Sequence, residues 1–331
     1  MRFSIIIPVY NRPEELDELL AGLAVQEGVH DFEAVIVEDG SVRKSDEVVA
    51  RYGQRIPIRY IVVPNGGPAR ARNIGASCAQ GDYLLILDSD VVLPKGFLNA
   101  VEAGLRTDPC DAWGGPDAAG EGFDAIQRAI SYTMTSFLTT GGIRGGKKSM
   151  EKFKPRSFNL GCKREVYEAL GGFTESMRFG EDIDFSLRLF AKGYRVRLYP
   201  ECFVYHKRRV SLKSFFKQVH NSGRARIDLG LRHPGSTKAV HWLPAVFTLG
   251  MAATVLLAFF FWWAWLIPLA FSIIILLDAL RSTASLRVAL RAVPAAWMQL
   301  TGYGSGFLYA FIRMRLMSKG MRNAFEKTFY D

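Results

Sequence analysis

Short apolar runs alternate with amphipathic stretches over the first hundred residues. "FSIIIPVY", "FEAVIVEDG", "IRYIVVP" and "YLLILDSD" are rich in β-branched and aromatic residues and end in turn-forming residues, the signature of strands. "RPEELDELLAGLAVQ" and "GPARARNIGASCAQ" place apolar residues at helical spacing between them. This alternation predicts an α/β fold: a doubly wound, mostly parallel sheet with helices on both faces. Ligands of such sheets bind beyond the carboxyl ends of the strands. Asn11, Asp39, Asp88 and Asp90 lie at such ends and are expected to converge.

Further along, residues 120–160 lose periodicity. Their stretch "TTGGIRGGKKSMEKFKPRS" is glycine-rich and basic and reads as a mobile loop. Order returns with a short helix in "GCKREVYEALGGF", then a longer helix and a strand in "GEDIDFSLRLFAKGYRVRLYP". No internal repeat is visible.

The pattern changes again near residue 236. Across 239–280 the only charged residue among Lys, Arg, Asp and Glu is Asp278. One helix of that length would measure about 60 Å, about twice a hydrocarbon core of roughly 30 Å. A hairpin of two spans over about 242–280 is therefore expected, with "FWWAWLIP" at the turn, since Trp prefers the interface and Pro interrupts a helix. A third helix is expected over about 289–312, interfacial, re-entrant or spanning. Its Gly302 and Gly306 are small residues suited to close helix contact, and Gln299 and Thr301 are polar. A full third span would put Arg313, Arg315, Lys319, Arg322 and Lys327 outside, against the cationic bias of cytoplasmic segments. The chain thus divides into 1–235, a cytoplasmic α/β domain, and 236–331, a helical membrane region.

Net charge adds direction. The chain of 331 residues carries +10, from 42 Lys and Arg against 32 Asp and Glu. The excess clusters at Lys207, Arg208, Arg209, Lys213, Lys217, Arg224, Arg226, Arg232 and Lys238, with Arg281, Arg287 and Arg291 beyond the hairpin. That placement points to anionic lipid and a cytoplasmic orientation at an inner membrane, not to nucleic acid. The apolar run in "MRFSIIIPVYNRP" is too short for a cleavable signal. Cys78, Cys110, Cys162 and Cys202 are widely spaced, which suggests neither a zinc site nor a disulfide framework.

Against this background the acids gain chemical content. Asp88 and Asp90, flanking Ser89, end an apolar run, where a pair of carboxylates requires either a solvated edge or a hard cation. They end the fourth strand, where alternate residues share a face, so the two carboxylates are expected to address one ion. Glu181 and Asp182 open a helix, a position where acids commonly serve as caps that interact with the helix dipole. "GGIRGGKKS" is not a P-loop, because Lys148 stands where Ser or Thr is required, and "GYGSG" has the wrong spacing for a dinucleotide loop.

Six segments in order, "SIIIPVYNRPEEL", "VIVEDGS", "NGGPARARNIG", "DYLLILDSD", "NLGCKREVYEALGGF" and "GEDIDFSLRLFAKGYR", resemble the family 2 glycosyltransferases. The resemblance covers about the first 210 residues. It implies a GT-A fold, an inverting reaction and a nucleotide-sugar donor, UDP-sugar favoured. Carried over by position, Pro8, Tyr10, Asn11, Asp39, Arg72, Asp88 and Ser89 are implied to bind the donor, with Arg70 the alternative to Arg72. Asp90 and Asp88, with His206, are implied to hold Mg2+ or Mn2+. Asp182 matches the general base, and Glu181 lies on the acceptor side. The QxxRW motif of processive synthases is absent: Gln218 and Arg224 have the wrong spacing and no Trp follows. Transfer of a single sugar to a lipid-linked or membrane-presented acceptor, in cell-envelope glycan or glycolipid assembly, is therefore expected. The alternative is a polyprenyl-phosphate sugar synthase; a processive synthase or a non-catalytic nucleotide-sugar-binding subunit ranks below it.

Overall fold

The structure is a computed structural model that describes residues 1–118, 123–140, 153–206 and 211–317. In chain order these form β1 (Phe3–Val9), α1 (Pro13–Ala24), β2 (Phe32–Asp39), α2 (Asp46–Tyr52), β3 (Ile58–Val63), α3 (Pro68–Ser77), β4 (Tyr83–Leu87), β5 (Val91–Val92), α4 (Phe97–Thr107), β6 (Ala112–Gly114) and β7 (Asp117–Ala118). There follow α5 (Ala125–Thr135), α6 (Phe137–Thr140), β8 (Asn159–Lys163), α7 (Arg164–Ala169), α8 (Glu181–Ala191), β9 (Val196–Leu198), β10 (Val204–His206), α9 (Leu212–Arg232), α10 (Leu243–Ala258), α11 (Leu266–Thr283) and α12 (Leu286–Ala310). Among the described residues, 1–118 and 153–206 pack as one compact unit, and 123–140 and 211–317 as another.

The first unit is built on a 7-stranded sheet of order β3-β2-β1-β4-β8-β6-β9. Strands β3, β2, β1 and β4 run parallel, whereas β8 is antiparallel to both β4 and β6. The period of two in β1 builds both layers: Phe3, Ile5, Ile7 and Val9 pack with Leu16, Leu19, Leu20 and Leu23 of α1, while Ile6 faces Leu84, Ile86, Leu160 and Phe185. Each of these fully buried side chains contributes roughly 1.5–3 kcal/mol relative to exposure. Chain order reverses between β1 and β4, so their carboxyl ends flank the crevice where open α/β sheets bind ligands.

Several local expectations change. Strand β4 stops at Leu87, so Asp88, Ser89 and Asp90 form a turn closed by Val91 N donating to Asp88 O at 3.3 Å. Asp and Ser favour such turns, so a shared strand face does not aim the two acids. "NLGCK" pairs along β4 before the helix begins at Arg164. Helices α2 and α4 carry their own buried faces, Val48 and Tyr52 in the first and Phe97, Leu98, Val101 and Leu105 in the second. The region 120–160, which lacks periodicity, contains α5, started by a capping box in which Asp124 accepts from Gln127 N while the Gln127 side chain accepts from Asp124 N. The "GGIRGGKK" portion of that stretch lies outside the described residues.

The second unit is helical. Two of its segments, Ala239–Ala258 and Trp262–Thr283, are long and apolar enough to cross a membrane, and the second opens with a short turn of helix at Trp262–Trp265. Many of their large apolar side chains are exposed, among them Leu256, Trp262, Leu266 and Leu277. Helix α12 runs on through Pro294 and packs on α5, α9, α10 and α11. Its glycines allow close approach: a Cβ at Gly306 would stand 2.0 Å from His220 O, one at Gly304 2.2 Å from Pro244 O, and one at Gly223 of α9 2.1 Å from Tyr303 O. Trp297 of α12 donates to Ser272 Oγ at 3.1 Å and packs against Phe247 and Phe271 of the hairpin. Asp278 accepts from Tyr132 Oη at 2.5 Å and Ser136 Oγ at 3.3 Å. A division at residue 235 and this grouping are different partitions, because packing puts α5, α6 and α9 with the apolar helices.

Candidate functional site

The crevice of the first unit is framed by residues that leave the carboxyl ends of β1, β2 and β4. After β1, Asn11 adopts a left-handed backbone with φ of 54°. Its Oδ1 accepts from Val42 N at 2.8 Å and Arg43 N at 3.0 Å, tying this end to the loop after β2. Pro8 is buried within β1, and Tyr10 is half-buried just past its end. Asp39 closes β2 fully buried, its oxygens accepting from Gly66 N at 2.7 Å and Gly67 N at 2.8 Å. Asp39 therefore fastens the loop that opens α3, and a nucleotide base would have to share oxygens already engaged. Gly40 is required beside it: φ is 72°, and a Cβ there would lie 2.5 Å from Asn65 N.

Arg72, on α3, is 3% exposed and bridges two acids. Nη2 donates to Asp88 Oδ1 at 2.6 Å and Nη1 to Glu181 Oε1 at 2.9 Å, with the guanidinium over the Phe173 ring at 5.5 Å. The arginine expected to reach a nucleotide is thus engaged by the site's own carboxylates. Asp90 pairs with Arg12 Nη1 at 2.5 Å. Asp182 accepts from Arg156 Nε at 2.6 Å and, through Oδ1, from Ile183 N at 2.7 Å. Each acid of the Asp88/Asp90 turn and of the Glu181–Asp182 pair therefore has a guanidinium partner.

The start of α8 is set by Gly180, whose φ of 83° turns the chain so that Glu181 and Asp182 enter the first helical turn buried. Burial, then the charge of Asp182, push Glu181 up to about 7 against the opposing pull of Arg72. Burial also raises Asp182, but the Arg156 charge and hydrogen bond and the Ile183 N–H outweigh it, holding that carboxyl below the usual range. Two adjacent carboxyls pushed apart in this way can be ionised and protonated side by side near neutrality.

Arg12 and Arg156 are absent from the sequence reading. Arg12 follows Asn11 at a strand end, and Arg156 sits in "FKPRS", which composition alone assigns to a basic loop. His206 ends β10, where its backbone is in register with Val91, the residue after Asp90.

Among the described residues no group of three or more His, Cys, Asp or Glu forms a metal cage. The Asp88 and Asp90 carboxylates are nevertheless hard oxygen donors that leave most of a coordination shell to water and phosphate oxygens. Mg2+ sites are commonly built that way, so these residues fit such an ion.

Over residues 4–180 the sequence matches the family described as Glycosyl transferase family 2. It is 29% identical over 239 residues to the pre-mycofactocin glycosyltransferase of Mycobacterium tuberculosis, covering 71% of this chain and 48% of that protein. Against the succinoglycan biosynthesis protein ExoA of Rhizobium meliloti identity is 24% over 239 residues, covering 69% of this chain and 70% of the relative. The chain spans about half the length of the first of these relatives. Among solved structures, the mannosyltransferase PcManGT from Pyrobaculum calidifontis, in complex with GDP-Man and Mn2+, superposes with a TM-score of 0.59 at 19% identity, covering 96% of this chain and 88% of that one. That likeness is one of fold and identifies the sheet and its helices as GT-A. With the family match extending over more than half of its length, the chain belongs to glycosyl transferase family 2.

Proposed function

We propose that the chain is a membrane-anchored, inverting glycosyltransferase that moves one sugar from a nucleotide sugar, UDP-sugar favoured, to a lipid-linked or membrane-presented acceptor. The observation that carries this reading is the joining of the Asp88 turn to the Glu181–Asp182 pair through Arg72. The acids suited to a donor diphosphate and those suited to an acceptor hydroxyl are thereby held in one network. Anchoring is supported by the two apolar helices and by the cationic segments on either side of them. The catalytic unit would face the cytoplasm.

In this reading Pro8, Tyr10, Asn11, Asp39 and Ser89 shape the donor pocket with Arg72. Asp88 and Asp90, with His206, would hold Mg2+ or Mn2+. When bound, the ion would neutralise charge on the departing nucleotide diphosphate. Arg156 keeps Asp182 ionised, the state a proton acceptor requires. Asp182 takes the proton of the acceptor hydroxyl as that oxygen bonds to the anomeric carbon. The bond from that carbon to the diphosphate oxygen breaks, and its electron pair leaves with the nucleotide. Attack opposite the leaving group inverts the centre. Glu181 lies beside the base on the acceptor side.

Native membranes containing the protein, supplied with radiolabelled UDP-, GDP- and dTDP-sugars, test the reading. Label from a UDP-sugar is expected in the lipid extract, lost in EDTA and restored by Mn2+ or Mg2+. Full transfer in chelator would remove the metal assignment, and label in no extract would remove the lipid acceptor.

A further inference from the structure

Arg226 lies on α9 and is 8% exposed. Its Nε and Nη1 are wholly out of solvent without a hydrogen-bond acceptor, and among the described residues no ion pair reaches it. A guanidinium does not shed its proton, so the charge remains. The described residues of this unit contain three acids, and each is engaged elsewhere. Asp124 caps α5 by accepting from Ile126 N and Gln127 N. Asp228 pairs with Arg232 at 3.1 Å. Asp278 accepts from Tyr132 and Ser136. An uncompensated buried cation is unfavourable, and the unit supplies no counter-ion for it among these residues.

The missing partner is an anion, and the planar fork of arginine matches phosphate through paired hydrogen bonds. The surroundings indicate where the phosphate comes from. Helix α9 leads into the first of the two apolar helices, and Ile227, beside Arg226, packs with Ala245 near the start of that helix, the end at which a span meets headgroup phosphates. We propose that Arg226 is a binding site for a phosphate group carried by a lipid. The site does not depend on sugar transfer, and its test reads binding alone.

The full chain is purified in a neutral maltoside detergent and its melting temperature measured with and without dodecyl phosphate, and with inorganic phosphate at the same concentration. Wild type, Arg226→Met and Arg226→Lys are compared. Without phosphate, Arg226→Met is expected to melt above wild type, because it removes an uncompensated charge while keeping an apolar stem. Dodecyl phosphate is expected to raise the melting temperature of wild type, to raise that of Arg226→Lys less, and to leave Arg226→Met unmoved. An equal rise with inorganic phosphate overturns the lipid source. Arg226→Met that melts lower or fails to fold, or an identical dodecyl phosphate shift in wild type and Arg226→Met, overturns the site.

Discussion

Arg72 and Arg226 are buried to nearly the same degree, 3% and 8% exposed, yet their surroundings are opposite. Arg72 stands between Asp88 and Glu181, so its charge is balanced by side chains from two elements of the α/β unit. Arg226 stands in a helical unit whose described acids are all engaged elsewhere. The sheet unit thus carries its counter-ions within its fold, whereas the helical unit leaves a charge for something outside the chain to balance. A buried arginine by itself therefore says little about stability; the acids within reach decide its sign.

Removing each arginine tests that contrast most directly. Arg72→Met is expected to destabilise the protein by about 3–5 kcal/mol in denaturant titration, since it strands two carboxylates. Arg226→Met is expected to change stability in the opposite direction. Destabilisation by both would erase the comparison.

On the catalytic side, Asp182→Asn keeps the size of the side chain but removes its basicity. Transfer should fall by about 10²-fold or more while donor binding, measured by calorimetry, persists. A parallel loss of both would make Asp182 a structural partner of Arg156.

Packing in the helical unit is probed by Gly223→Ala, whose new methyl would press on the α12 backbone at Tyr303 O. A loss of about 1–3 kcal/mol is expected. Gly250→Ala, where nothing lies within 4 Å, should be close to neutral.

The smallest effect is a pH slope. Glu181 binds its proton up to about 7 in the folded state, against an ordinary value of 4.5. Between those values the folded chain holds a proton that the unfolded chain has released, so stability falls as pH rises from about 5 to 7 and then levels. The slope is at most about 1.4 kcal/mol per pH unit. Glu181→Gln should flatten it, and an unchanged slope would assign it to another group.

What the sequence reveals about this site follows from where geometry is locally determined. Asp39, Asp88 and Asp90 stand at strand ends, and Glu181 and Asp182 at a helix start, positions that hydrophobic periodicity locates from a few neighbours. Their partners Arg12 and Arg156 come from loops, where nothing in the local pattern says which acid a guanidinium will reach 26 or 78 residues away. The turn at Asp88 escapes because an apolar strand reads as continuous until its hydrogen bonds are seen. Helix α5 was legible in principle through Asp124 and Gln127, but the glycine-rich stretch beyond it dominates the composition of the window. The close approach of α9 and α12 is half legible: Gly302 and Gly306 announce a tight contact, but not that the contact is with α9.

The insertion of α5 between β7 and β8 constrains how the protein can be divided for study. A fragment ending at residue 235 looks like a self-sufficient soluble enzyme, yet it would keep α5 while discarding α11 and α12. Ala129 and Tyr132 pack with Ile275, Ala279, Val288, Ala289 and Ala292, and Ile130 and Met134 with Ala295. Cut there, the fragment would present that apolar face to water and aggregate through it. A soluble version would have to replace 121–152 with a short linker as well as end before α9.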